Sequence, residues 1–175
     1  MNRPPPFHTS LPVLYLCAVC IFPDILPAAG KPAASKPAQP RLTEVAVVAR
    51  EVEFKTTPQG ALKLHLFLPP GSGPADRRPA MLFFFGGGWK NGSFTQFVPQ
   101  AEYFAGRGLV CACADYRISS IHKTTPDLCV EDAKSAVRWL RTHAAELGID
   151  PGRIIASGGS AGGHLAAATW LVPGF

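Results

Sequence analysis

Charge is scarce in this chain, at 17% of 175 residues, and it does not cluster. Lysine and arginine outnumber the acids 17 to 12, for a formal net charge of +5, yet no basic run is longer than Arg77-Arg78. Scattered cations describe a solvated surface, which excludes the basic stripe of a nucleic-acid partner. Long apolar runs are missing as well. The hydrophobic segment at residues 11–22 falls short of the roughly 20 residues that a bilayer-spanning helix requires, which excludes a membrane span there. Cysteine is sparse, at five, and no second Cys/His pair stands at zinc-ligand spacing, so a metal site is excluded and no cofactor is called for. Cys111 and Cys113 are two apart in an expected strand and share one face, where a bridge between neighbours is geometrically poor; buried thiols are expected.

What the chain does have is apolar mass, 47% of residues, enough for one globular core. Ahead of it, Asn2-Arg3, the apolar segment at 11–22 and Ala28-Ala29-Gly30 resemble the n-region, h-region and small-residue cleavage site of a secretory signal. This predicts export, periplasmic or extracellular, with a signal peptide at 1–30. Pro12, Pro23 and Asp24 depart from the ideal pattern, and the alternative is a disordered leader. Val19 and Leu16, before Cys20 and Cys17, are larger than a lipoprotein cleavage site accepts. A Pro/Ala-rich linker follows at 31–40, and the folded domain is expected over 41–175.

Alternating apolar residues at 45–54 and 62–68, with Thr57-Pro58-Gln59-Gly60 between them, predict an antiparallel hairpin. His65 in its second strand is expected at the surface or on an edge. Residues 80–85 are continuously apolar, as in a strand covered on both faces, and Phe97, Ala101, Phe104 and Ala105 recur at helical spacing before a second buried strand at 109–114. Strand, helix, strand is the βαβ unit of a parallel sheet. Asp115-Tyr116-Arg117 then stands at a strand's carboxyl end, where it is expected to brace a neighbouring loop rather than react. A helix should open at Thr125, with Pro126 first and Asp127 in its first turn, and end before Gly148. Asp132 lies beside the apolar stripe of that helix and must be paired or hydrogen-bonded, which points to a structural anchor. Asp150-Pro151-Gly152 reads as a turn.

Two glycine clusters carry the chemistry. Gly158-Gly159-Ser160-Ala161-Gly162, between an apolar run and a helical one, fits a strand-turn-helix nucleophile elbow: a serine lifted on strained backbone needs neighbours two before and two after that lack bulk. Ser160 is the candidate nucleophile. Upstream, Phe85-Gly86-Gly87-Gly88-Trp89 follows the buried strand at 80–85, as a loop supplying oxyanion N–H groups would. Together with Asp115-Tyr116-Arg117, Asp132 and Trp139-Leu140, these clusters resemble the α/β-hydrolase superfamily over about residues 45–175. The likeness is to its HGGG-type esterase/lipase branch, near feruloyl- and acetyl-xylan-esterase-like proteins.

The resemblance implies an α/β-hydrolase fold, a mostly parallel doubly wound sheet with an antiparallel N-terminal hairpin, truncated here after the elbow. It further implies a serine carboxylic-ester hydrolase that forms an acyl-enzyme at Ser160 on a small-molecule or polysaccharide-linked ester. Backbone amides of Gly87, Gly88 and Ala161 would hold the oxyanion, and Trp89 would contact substrate. Trp89, Phe94 and Phe97 either wall an acyl pocket or pack in the core. His164, carried by the helix beneath the elbow, is not the expected base. Phe85 stands where the branch has a histidine that braces the loop, which questions how that loop is supported. The triad order Ser, Asp/Glu, His leaves the acid and base unnamed, because only fifteen residues follow Ser160. A prolyl-oligopeptidase-type peptidase and a truncated, non-catalytic remnant or binding module are the alternatives.

Overall fold

The structure, a computed structural model, describes residues 47–174. The expected signal peptide at 1–30, the linker at 31–40 and the domain's first residues at 41–46 lie outside the described residues. Five strands form one sheet: β1 (Val48–Thr57), β2 (Gly60–Leu68), β3 (Arg78–Phe84), β4 (Val110–Ala114) and β5 (Ile149–Gly158). Their spatial order is β1-β2-β4-β3-β5. The β1/β2 and β2/β4 ladders are antiparallel and the β3/β4 and β3/β5 ladders parallel, so the described sheet is mixed. The expected hairpin forms around Pro58-Gln59, with Thr57 opposite Gly60, and is tighter than the four-residue turn read from sequence.

Helices α1 (Val98–Ala105), α3 (Pro126–Thr142) and α4 (Ala161–Leu171), with the single turn α2 (Ser119–His122), complete the fold. The two-residue period of the strands sorts side chains between two cores. Leu64, Leu66, Leu82, Phe84 and Ala112 face the core that α3 and α4 cover. Phe67, Phe83, Cys111 and Cys113 face the other way, onto Ala101 and Ala105 of α1. With helices over both faces, Val-Cys-Ala-Cys-Ala of β4 is buried throughout. Each fully buried leucine or phenylalanine here contributes roughly 1.5–3 kcal/mol.

Two boundaries differ from the sequence reading. The helix α3 stops at Thr142, not near Gly148, and residues 144–148 are turns. Ile149 donates to Ala144 O at 2.7 Å there, and Gly148, at φ 65°, passes so close to Gly73 O that a Cβ would stand 2.3 Å from it. Asp150-Pro151-Gly152 is a bulge inside β5 rather than a turn before it: Arg78 pairs with Ile149 and Ala80 with Ile154, leaving four residues opposite Pro79. Neither Pro79 nor Pro151 has an N–H for the ladder, and Asp150 Oδ1 accepts from Gly152 N at 3.0 Å instead.

Candidate active site

The last rungs of the β3/β5 ladder place the two glycine clusters side by side. Phe84 pairs with Gly158, so the chain leaves β3 into Phe85-Gly86-Gly87-Gly88 beside the point where it leaves β5 into Gly159-Ser160. The contact is close: a Cβ on Gly86 would lie 2.8 Å from Gly159 O and 3.4 Å from Ser160 Cβ. Ser160 has φ 52° and ψ −119°, a region costing on the order of 1–3 kcal/mol for a residue with a Cβ, and it is exposed. This backbone lifts the hydroxyl off the sheet just before α4 begins at Ala161. The elbow closes because its glycines have no side chains: a Cβ on Gly162 would sit 2.0 Å from Phe84 O, and one on Gly158 would sit 2.5 Å from it.

Gly87 and Gly88 have φ of 128° and 62°, and Trp89 continues the left-handed run at 58°. Gly87 O accepts from both Lys90 and Asn91 N at 3.1 Å, which folds the loop into a turn. Among the described residues, the N–H groups of Gly87 and Gly88 donate to no protein acceptor. Ala161 is the first residue of α4, where an N–H has no partner within its helix.

The loop's support differs from the histidine of the HGGG pattern. Phe85, buried, stacks on Tyr116 with ring centroids 4.1 Å apart, and the Tyr116 hydroxyl donates to Phe85 O at 2.8 Å. Burial raises the Tyr116 pKa well above its usual value, so it stays a donor. The expected brace at Asp115-Tyr116-Arg117 is thus a stack plus a hydrogen bond. Arg117 continues it: Nε and Nη2 each donate to the fully buried Asp132 at 2.8 Å, and Lys55 Nζ reaches the same carboxylate at 2.7 Å. Asp132 therefore joins α3, the β4 corner and the hairpin as an anchor, with both carboxylate oxygens engaged by Arg117 and Lys55. Gln96, which sequence reasoning missed, accepts from Gly86 N at 2.6 Å through Oε1. A glutamine in a polar loop carries no periodic or motif signal that could have singled it out.

The aromatics separate. Phe97, half-buried, packs on Phe83 with centroids 5.5 Å apart and borders Gly159, so it packs against the core beside the elbow. Phe94 is drawn off to β2, where it stacks on His65 at 3.4 Å, and does not wall a pocket with Trp89. His65 corrects its own expectation: β2 is an interior strand, and the ring is covered by Phe94 and flanked at 3.4 Å by both Asp115 and Glu51. Trp89 stays beside the elbow, edge-on to His164 at 5.3 Å. His164 is exposed on α4 rather than tucked beneath the turn. Among the described residues, no imidazole or carboxylate hydrogen-bonds the Ser160 hydroxyl. His122 and His143 bond the backbone of Ile118 and Trp139. Cys111, Cys113 and Cys129 are free, buried thiols, as expected for the three that fall in the domain.

Comparison with known proteins agrees with this geometry. The BD-FAE family model matches residues 64–172, from the middle of β2 to just past α4. The chain belongs to this family of α/β-hydrolase esterases. Among other members of the wider fold, carboxylesterase NlhH of Mycobacterium tuberculosis is 37% identical over 93 residues, 53% of this chain and 28% of NlhH. Esterase LipI of the same organism is 32% identical over 132 residues, 75% of this chain and 40% of LipI. The thermophilic esterase Est2 of Thermogutta terrifontis superposes with a TM-score of 0.70 and 58% identity over 71% of this chain and 45% of Est2. Est2 has also been solved phosphorylated by paraoxon, and that form matches with a TM-score of 0.71 and 57% identity over 72% of this chain and 48% of Est2. The chain thus spans less than half the length of each of these relatives.

Proposed function

We propose that the protein carrying this chain is a serine carboxylic-ester hydrolase. The observation that carries the reading is the seating of Gly86 against Gly159 and Ser160, which brings a loop with unpaired amides to a serine on strained, exposed backbone. In the reaction, Ser160 Oγ attacks the ester carbonyl carbon and its proton passes to a histidine base. Charge builds on the carbonyl oxygen, and the N–H groups of Gly87, Gly88 and Ala161 face it as preorganised donors. The alcohol leaves with the proton, and water then hydrolyses the acyl-Ser160 intermediate.

Trp89, beside the elbow, serves as a substrate contact. Short acyl chains fit this reading, since Est2 has been solved with butyrate bound. Export through the segment at 1–30, and polysaccharide-linked esters as substrates, form the finer part of the proposal and rest on the sequence pattern and the family likeness. No helix of the described residues is long and apolar enough to cross a membrane.

The test is hydrolysis of p-nitrophenyl acetate by the product of the full reading frame, with Ser160→Ala as control. Turnover should fall by roughly 10⁴-fold or more in the variant, as removing a triad serine does elsewhere. Retention of most activity rejects Ser160. Hydrolysis of a matched amide at a comparable rate rejects the esterase in favour of a peptidase. Release of acetate or ferulate from xylan decides the polysaccharide branch, and a mature N-terminus at Lys31 decides export.

A further inference from the structure

The glycine loop is tied at its neck by a side chain outside its motif. Gln96 Oε1 accepts from Gly86 N at 2.6 Å and closes residues 86–96 into a ring. Within that ring, Gly87 O takes two amides, Gln96 N donates to Ser93 O at 3.2 Å, and Gly92 fits against Gly86 O, where a Cβ would stand 2.4 Å away. The residue after Gln96 is held by the elbow itself. Phe97 packs on Phe83 of β3, and its ring lies 3.3 Å from where a Cβ on Gly159 would be. The backbone at Gln96 is thus referenced to the turn that carries Ser160, and its side chain to the loop that carries the oxyanion donors. Gly86, in turn, has its N–H occupied and its α-carbon against Gly159 and Ser160. Among the described residues, the next two amides, of Gly87 and Gly88, donate to no protein acceptor and stay available to a ligand.

We propose that Gln96 is a positioning residue: its side-chain carbonyl sets the place of the glycine loop relative to Ser160, complementing the brace that Tyr116 gives the loop at Phe85. The proposal rests on the esterase reading above. Gln96 touches no reacting atom and acts through Gly86. Its loss should therefore appear in the transition state more than in substrate binding, because the amides that drift are aimed at charge formed during reaction.

The experiment compares the unsubstituted protein with Gln96→Leu, which keeps the volume and removes the acceptor, and with Gln96→Glu, which keeps an acceptor oxygen. In Gln96→Leu, kcat for p-nitrophenyl acetate should fall about 10- to 100-fold, in line with the effect of a misplacement on the order of 1 Å. KM should stay within about twofold, and the melting temperature within about 2 °C, because Gln96 is exposed. Hydrogen exchange at the Gly86 amide, read by NMR, should quicken roughly tenfold in Gln96→Leu and stay protected in Gln96→Glu. Unchanged kcat with unchanged Gly86 exchange overturns the proposal, as does a loss carried by KM or by a general fall in stability. If the unsubstituted protein hydrolyses no ester, the esterase reading fails, and the Gly86 exchange comparison still decides whether Gln96 holds the loop.

Discussion

Replacing Gly162 with alanine sets two effects against each other. Gly162 lies in the first turn of α4, and in an exposed helix interior the change from glycine to alanine stabilises by about 1 kcal/mol. Here the added Cβ would stand 2.0 Å from Phe84 O and 2.5 Å from Phe85 O. Both atoms are backbone at the end of β3, so no flexible side chain can yield; the strand or the helix must move. Overpacking of this kind costs about 3 kcal/mol, and with the propensity gain subtracted the net loss is about 2 kcal/mol. At 2–4 °C per kcal/mol for a chain of this size, the melting temperature should fall by roughly 6 °C. The displaced strand end also carries Phe85 and the glycine loop, so reaction of Ser160 with a fluorophosphonate should slow beyond what stability explains. Gly88→Ala is the control: nothing lies within 4 Å of its Cβ position, and only the φ of 62° opposes it, at about 1 kcal/mol. A Gly162→Ala protein as stable as its parent, or one less affected than Gly88→Ala, would refute the packing argument.

Two further expectations follow from the interior. Asp132→Ala should cost about 3–5 kcal/mol by chemical denaturation, since it leaves Arg117 without its bidentate partner in the core. Glu131→Ala, removing a half-exposed member of the same network, should cost under about 1 kcal/mol; equal costs would show that Asp132 is no anchor. Burial pushes the thiols of Cys111 and Cys113 up to about 12 and that of Cys129 to about 11. At pH 8 the reactive thiolate is therefore scarce in the folded protein. All three should resist a thiol reagent until the chain is denatured, and rapid labelling of the native protein would contradict the burial.

The hairpin, the βαβ unit, the Pro126 helix start and the elbow were all legible in the amino-acid order, because each rests on local rules. Strand alternation, proline and glycine at fixed offsets, and the absence of bulk around Ser160 need only near neighbours. Asp132 was legible as an anchor for a similar reason, since a carboxylate on an apolar stripe must find partners. Which partners it finds was not legible: Lys55 and Arg117 lie 77 and 15 residues away and meet it only when the hairpin folds over α3. His65 was misplaced on the same ground, because the interior position of β2 depends on β4 pairing beside it, and the choice between pocket and core that the sequence left open for Phe94 was settled there too, by packing on the β2 face. The tertiary structure alone also decided how a loop with phenylalanine in place of histidine is held. Stacking on Tyr116 and the reach of Gln96 to Gly86 are contacts across 31 and 10 residues, and no period in the sequence encodes a distance that only chain closure creates.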